Sequence, residues 1–510
     1  MAMRGDPRHG LAARDSRRLA WFVGIAYGAL LLIALLVQIG PAVPIGLVVF
    51  AALLVRAAAN PRFGLMASLV ASLAIPVQLS LRAGPFALSP GRLLGFAFLV
   101  GWLASLSRPG GPELRRTAVD VGVISLLLAF GLSIVANSST LSNLAFAEAI
   151  RKLLVFAVDY FAIFYATVSV LAVGRRHLDV VLRVAAFAAV GTAVLGVLEQ
   201  LTGRNVFTFL EPVLPFNLAD YIRVLAENSV LTRGTLVRVR STFDGPHAFG
   251  AVLTMALPLL LHFWAVSTSR FRWLYLGCVS VVALAAMATA SRGVYVAFTL
   301  TLIAYALASG LVKPSRRAIL ALVVVLAITA GANSGLRATM SLYFRGLANL
   351  EERSIQGRVT DYANVIQQLD RTPFAGSGPG TWELRAIRRG DNPIVDLNNA
   401  ADEVLDNYYL VVLAEVGLFG LFAFIVVIFG GVLLGWRAVL RARGPTDRSL
   451  AAAVFASLVG FAVLTFVFDM FAFNGPVRFY FVMLAAAVIL SSAHRRVARP
   501  SLLLEKRGNP

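Results

Sequence analysis

The sequence predicts an all-α fold, a polytopic integral membrane helical bundle of about 12–14 transmembrane helices, with a large extracytoplasmic helical loop between two late spans. Three observations predict it. Of the 510 residues, 58% are hydrophobic and 14% charged, whereas soluble domains carry about 25% charged residues. The apolar runs are long and unbroken, as a helical crossing of roughly 20 residues requires and as the alternating strands of a β-barrel do not. Finally, Lys and Arg gather in every second connection between these runs, which is the signature of cytoplasmic loops.

Residues 1–18 form a basic cytoplasmic N-terminus with five arginines. The next run, 19–40, ends without a small-residue cleavage pattern and reads as a retained signal-anchor helix. Further apolar segments fall at 42–58, 63–79, 92–106, 118–136, 153–173 and 179–199, and, after an outer loop at 200–246, at 247–267, 273–290, 294–312 and 318–334. Together, 19–334 make a transmembrane bundle. Residues 335–406 form the extracytoplasmic loop, 407–493 carry the C-terminal spans at 408–436, 450–470 and 477–493, and 494–510 are a cytoplasmic tail. The single cysteine, Cys278, lies inside an apolar run and reads as core filler.

With the N-terminus inside, the basic connections are Arg56 and Arg62; Arg108, Arg115 and Arg116; Arg175 and Arg176; Arg270 and Arg272; Lys313, Arg316 and Arg317; Arg437, Arg441, Arg443 and Arg448; and the tail from Arg495. The alternation puts both termini in the cytoplasm of a cytoplasmic (inner) membrane. It accounts for the net charge of +20 without nucleic acid, so the expected partners are membrane lipids and a substrate. Of the 46 basic residues, 19 nevertheless fall on the outer side, concentrated in 200–246, in "SRG" at 291–293 and in 335–406.

The segment 335–406 is too long for a structureless connection. Val359, Tyr362, Ala363, Ile366 and Leu369 repeat at helical spacing and predict an amphipathic helix on the bundle or at the interface. "RTPFAGSGPGTW" then stops the helix and lets backbone approach something closely. A second helix is expected from Asn399, continuing into the span at 408–436, with Asp402 and Asp406 four residues apart on one face. The intramembrane acids Asp159 and Asp469 are expected to form structural ion pairs, with Arg151 or Arg478 as partners.

Four outer pieces carry the chemistry: "RVRSTFDGPHAFG" (238–250), "TASRGVY" (289–295), "GRVTDYANVIQQLDRTPFAGSGPG" (357–380) and "LDNYYLVVLAEVGLFGL" (405–421). In this order and spacing, over about 195–430, they resemble the O-antigen ligase and O-antigen polymerase superfamily. These membrane glycosyltransferases move glycans off a polyprenyl diphosphate carrier. The resemblance implies an undecaprenyl diphosphate-linked glycan donor, a glycan or lipid acceptor and an active site on the extracytoplasmic side. It matches the family's arginine before a Pro-Asn-x-x-Gly-like turn to Arg240, and its Ser-Arg helix end to Arg292. Where the family's ligases place histidine before Asn-x-Tyr-Leu, this chain has Asp406, which fits the polymerase branch better.

A diphosphate leaving group gathers charge as its bond to the sugar breaks, and guanidinium forks stabilise that charge by bidentate hydrogen bonding without a metal. Arg240 and Arg292 are therefore the candidate catalytic cations, with Arg238 and Arg358 in support. The alternative for Arg292 is an interfacial side chain snorkelling to headgroups. No Asp-x-Asp pair and no outer cluster with metal-ligand spacing occurs, so metal independence is expected and no cofactor is implied. Asp406 is the candidate general base, with helix capping or ion pairing as its alternative role. Asp402, Asn407 and His247, the sole outer histidine, are supporting substrate-binding candidates. A ligase acting on a lipid or other acceptor remains open. So does a lipid-linked oligosaccharide flippase, although the chain lacks the two similar halves and short outer loops such a transporter should have.

Overall fold

The computed structural model describes residues 42–76, 81–83, 86–109, 111–205, 232–233, 236–310, 362, 365–367, 369, 372–382 and 405–492. Every predicted apolar segment that falls on them is helical. In chain order the helices are α1 (Ala42–Ala59), α2 (Pro61–Ala74), α3 (Pro90–Leu106), α4 (Asp120–Ala136), α5 (Asn143–Leu171), α6 (Arg175–Thr202), α7 (Pro246–Val266), α8 (Ser269–Ala288), α9 (Arg292–Ser309), α10 (Tyr408–Arg441), α11 (Pro445–Val467) and α12 (Asn474–Ser492). The last eight are long and apolar enough to cross a membrane, and α1–α4 are shorter apolar helices. The predicted spans at 19–40 and 318–334 lie outside the described residues. Two small antiparallel hairpins, β1 (Leu81–Ala83) with β2 (Phe86–Leu88) and β3 (Thr232–Arg233) with β4 (Leu236–Val237), interrupt the otherwise all-helical fold.

Burial follows the order of a bundle in lipid. Helices α7, α11 and α12 are buried almost all round and form the centre. Helices α4 and α10 turn large apolar side chains outward, with Val121 73% and Phe422 71% exposed. A face of that kind suits a hydrocarbon surrounding.

Local chemistry starts the helices where the sequence allows. Asn60 accepts hydrogen bonds from the amides of Arg62 and Phe63 ahead of α2, and Ser89 accepts one from Arg92 ahead of α3, each followed by proline at the first helical position. At α10 the expectation of a helix running on from Asn399 is corrected. Asn407 is extended, and its side-chain oxygen accepts from the amides of Tyr409 (3.0 Å) and Leu410 (3.4 Å), so the helix begins at Tyr408. Asparagine bonds nearby amides as readily as it continues a helix, and here it caps.

Helix α10 is kinked at Gly417, whose φ is +77°. The kink receives the turn cluster at 372–382. Ser377 and Gly378 donate to the carbonyls of Ala414 (3.0 Å) and Glu415 (2.9 Å), and Leu418 donates to Pro373 O (3.0 Å). A Cβ on Gly417 would stand 2.3 Å from Phe374 O, and one on Gly376 2.4 Å from the Glu415 carbonyl carbon, so the close backbone approach expected of this loop is made onto α10. Ser133 of α4 and Asn137, which caps its C-terminal end, hold the loop from behind through Ala375 O and Gly376 O. Of the amphipathic helix expected before this loop, the described residues show Val365 buried while Ile366 is 62% exposed.

Buried charge is paired. A π-helical turn in α5 (Val155–Ala162) carries Asp159, which Arg92 of α3 meets at 2.7 Å and Arg478 of α12 at 3.5 Å. Arg478 is thus the expected partner, whereas Arg151 pairs with Glu148 one turn before it. Asp469 accepts from the amide of Ala472 at 3.2 Å. Lys152 of α5 and Glu415 of α10 form a second buried pair at 2.8 Å.

Candidate functional site

The segment 238–241, which follows β4, runs beside the C-terminal end of α8, with Val239 N donating to Ala288 O at 3.1 Å. Its anchor is Glu199, near the C-terminal end of α6. That carboxylate accepts from the amides of Ser241 (2.7 Å) and Arg240 (3.4 Å) and from Asn205 Nδ2 (3.2 Å). Ser241 Oγ donates to Thr192 O, and Asn205 also donates to Ser241 O. Ser241 has a φ of +55°, and Ala290, two residues before Arg292, a φ of +47°. Neither is glycine, so each bend stores backbone strain that the surrounding bonds must hold, and strain of this kind clusters at functional sites.

Arg240 is buried and Arg292 half-buried at the first position of α9. His247, in the first turn of α7, joins their two segments. Arg238 Nη2 lies 3.4 Å from its Nε2, and Ser291 Oγ, the residue before Arg292, lies 3.0 Å from its Nδ1. Arginine can only donate, so Nε2 accepts and Nδ1 carries the proton toward Ser291. The lone pair that a neutral imidazole offers as a base is then occupied. Phe468 stacks on the His247 ring at 3.7 Å.

Asp406 lies beside this row. A cleft of about 90 Å³ is lined by Tyr362, Asp406, Asn407, Leu410, Phe466 and Val467 among others. Val467 also packs against the start of α9, where a Cβ on Gly293 would meet it at 2.5 Å. Asn407 is buried and uses both ends of its amide, capping α10 and donating to the Tyr362 hydroxyl at 3.2 Å. Its observed work is to shape the cleft. Arg358 and Asp402 lie outside the described residues.

The sequence reading therefore named Arg238, Arg240, His247, Arg292, Asp406 and Asn407, and the fold brings all six to one end of the bundle. It missed Glu199, an acid in an apolar helix that could have been singled out as costly to bury. It also missed Asp244, which stands inside the quoted "RVRSTFDGPHAFG". Burial by surrounding protein pushes the Asp244 carboxyl up to about 6, against the lowering pull of Arg240, and the residue lines a second cleft.

Residues 279–425 match the family model described as O-antigen ligase. That match places the stretch in the O-antigen ligase and polymerase superfamily. It takes in Arg292, the docked 372–382 loop, Asp406 and the kink of α10, while Arg238, Arg240 and His247 stand before it. No curated protein matches the chain.

Proposed function

We propose that the protein is a metal-independent membrane glycosyltransferase. It takes oligosaccharide repeat units from an undecaprenyl diphosphate carrier on the outer face of the cytoplasmic membrane and polymerises them. Arg240 and Arg292 hold the diphosphate, with Arg238 and Arg358 adding positive charge around it. Asp406 takes the proton from the acceptor hydroxyl or orients it, and Asp402 and Asn407 help to bind the substrate. The observation that carries this reading is the joining of two arginine-bearing segments, through Arg238, His247 and Ser291, into one row next to the Asp406 cleft. The O-antigen ligase match over that cleft supports it.

In this mechanism the acceptor oxygen attacks the sugar carbon bonded to diphosphate, its proton passes to the Asp406 carboxylate, and the bonding pair leaves with the diphosphate. Charge builds on the leaving oxygens where the guanidinium forks already stand. His247, with its ring held by Arg238, Ser291 and Phe468, serves as a rigid binding group.

Ligation of a finished glycan to another acceptor uses the same donor chemistry, and the matched family is described as ligase. The Asp406 position favours polymerisation. Glycan analysis after gene deletion separates the two: single repeat units left on carrier are expected, full polymers left on carrier would make the protein a ligase, and unchanged glycans would end both readings.

A further inference from the structure

The Asp406 cleft carries two partly exposed aromatic rings that the transfer mechanism does not use. Tyr362, from the amphipathic segment before the docked loop, is 37% exposed, and its hydroxyl oxygen accepts from Asn407 Nδ2 at 3.2 Å. Phe466, at the C-terminal end of α11, is 59% exposed, and its ring centroid stands 6.1 Å from that of Tyr409. Asp406 and the buried Asn407 supply the polar part of the lining. Resting on the reading above, we propose that this cleft holds one edge of the acceptor's terminal sugar, the edge that bears the attacking hydroxyl, with Tyr362 and Phe466 as the surfaces on which its ring packs.

Size, chemistry and position select that occupant. The cleft of about 90 Å³ is several times the roughly 10–15 Å³ that one water needs, so it admits a hydroxyl with the carbons that carry it and not a whole sugar. A glycan acceptor has to enter in this way, because the rest of its chain stays outside. The lining mixes polar and aromatic groups. A lipid tail would press hydrocarbon against a carboxylate and an amide that it cannot solvate. A sugar brings hydroxyls to those groups and C–H faces to the rings, whose negative π surfaces attract the slightly positive C–H hydrogens. Both rings are set before a ligand arrives. Tyr362 is tied through its hydroxyl to Asn407, the residue that caps α10, and Phe466 lies against Tyr409. Surface held in place beforehand loses little entropy on binding. Position fixes which sugar it is. Val467, the neighbour of Phe466, also lines the cleft, and Val467 and Phe468 both pack on Gly293, next to Arg292, while Phe468 stacks on His247. The turn 466–468 is thus a wall shared by the cleft and the arginine row, so a sugar seated against Phe466 lies next to the place where that row would hold the donor diphosphate.

The test uses the purified full-length protein in detergent. The acceptor probe is the repeat-unit oligosaccharide released from its carrier by mild acid, and the donor-side probe is bare undecaprenyl diphosphate. The unaltered protein is expected to bind labelled oligosaccharide. Tyr362→Leu should weaken that binding at least tenfold, and Phe466→Leu, at a position too exposed for folding to depend on it, at least threefold. Tyr362→Trp, which keeps an aromatic face, should stay within threefold of the unaltered protein. Affinity for the bare carrier should change less than twofold in all three variants. When carrier-linked units are transferred to the oligosaccharide, the defect of Tyr362→Leu should fall on the acceptor KM and not on kcat. Equal oligosaccharide binding by the unaltered protein and both leucine variants, including none by any of them, would overturn the proposal. So would a Tyr362→Leu defect that falls equally on the bare carrier. Oligosaccharide binding that depends on Tyr362 without any transfer would keep the glycan cleft and remove the glycosyltransferase reading on which its acceptor role rests.

Discussion

Arg240 is held in place through its backbone. Glu199 accepts its amide and that of Ser241, so the guanidinium starts from a fixed root. Glu199→Ala removes the carboxylate acceptor from these two buried amides, at roughly 1–3 kcal/mol each. It should lower the thermal midpoint in detergent and reduce transfer at least tenfold, with Glu199→Gln recovering part of both. Unchanged transfer at unchanged expression would show that Arg240 needs no such root. At Asp406, asparagine keeps shape and hydrogen bonding but cannot take a proton. Turnover should fall roughly 10²- to 10⁴-fold, the usual worth of general-base catalysis, with little change in donor binding. Normal turnover would reduce Asp406 to a structural group at the helix mouth.

The elements were legible in the sequence wherever hydropathy alone decides them, and illegible where two distant segments decide together. The start of α10 turned on the choice by Asn407 between extending a helix and capping one, a balance of local bonds that spacing does not reveal. "GSGPG" announced a close backbone approach but not its target, because the partner carbonyls of Ala414 and Glu415 lie well along the chain beyond a long intervening segment. The kink at Gly417 is the other half of that contact. Gly417→Ala puts a Cβ against Phe374 O in a backbone conformation that is nearly glycine-only and costs an L-residue roughly 1–3 kcal/mol. The loop should detach, seen as new protease cleavage within 372–382 and lost transfer. Resistance equal to that of the unaltered protein would show that the loop does not depend on the kink. The buried Lys152–Glu415 pair braces the same place, with Trp382 N donating to Glu415 at 3.3 Å. Lys152→Met should destabilise the protein by about 3–5 kcal/mol by stranding a buried carboxylate, and adding Glu415→Gln should restore part of the loss.

Across the whole molecule, charge is sorted by end. Arg175 with Asp447, Arg183 on the Phe263 ring and Tyr275 hydroxyl, and Arg448 on Ala308 O occupy the end opposite Arg240, Arg292 and Asp406. If the basic loops are cytoplasmic, the site faces outward. In a Cys278→Ala background, Ser139→Cys at the site end should react with a membrane-impermeant thiol reagent on whole cells once any outer barrier is opened. Thr446→Cys at the basic end should react only after lysis. Both positions are exposed. The reverse pattern would invert the topology. The most direct test of the central claim is transfer by the purified protein in liposomes, supplied with undecaprenyl diphosphate-linked repeat units in the presence of EDTA. The unaltered protein is expected to form chains, Arg240→Ala and Arg292→Ala to form none, and the lysine variants to recover little because a point charge cannot replace the bidentate fork. Normal chain formation by both alanine variants, or activity that EDTA abolishes and a divalent ion restores, would contradict it.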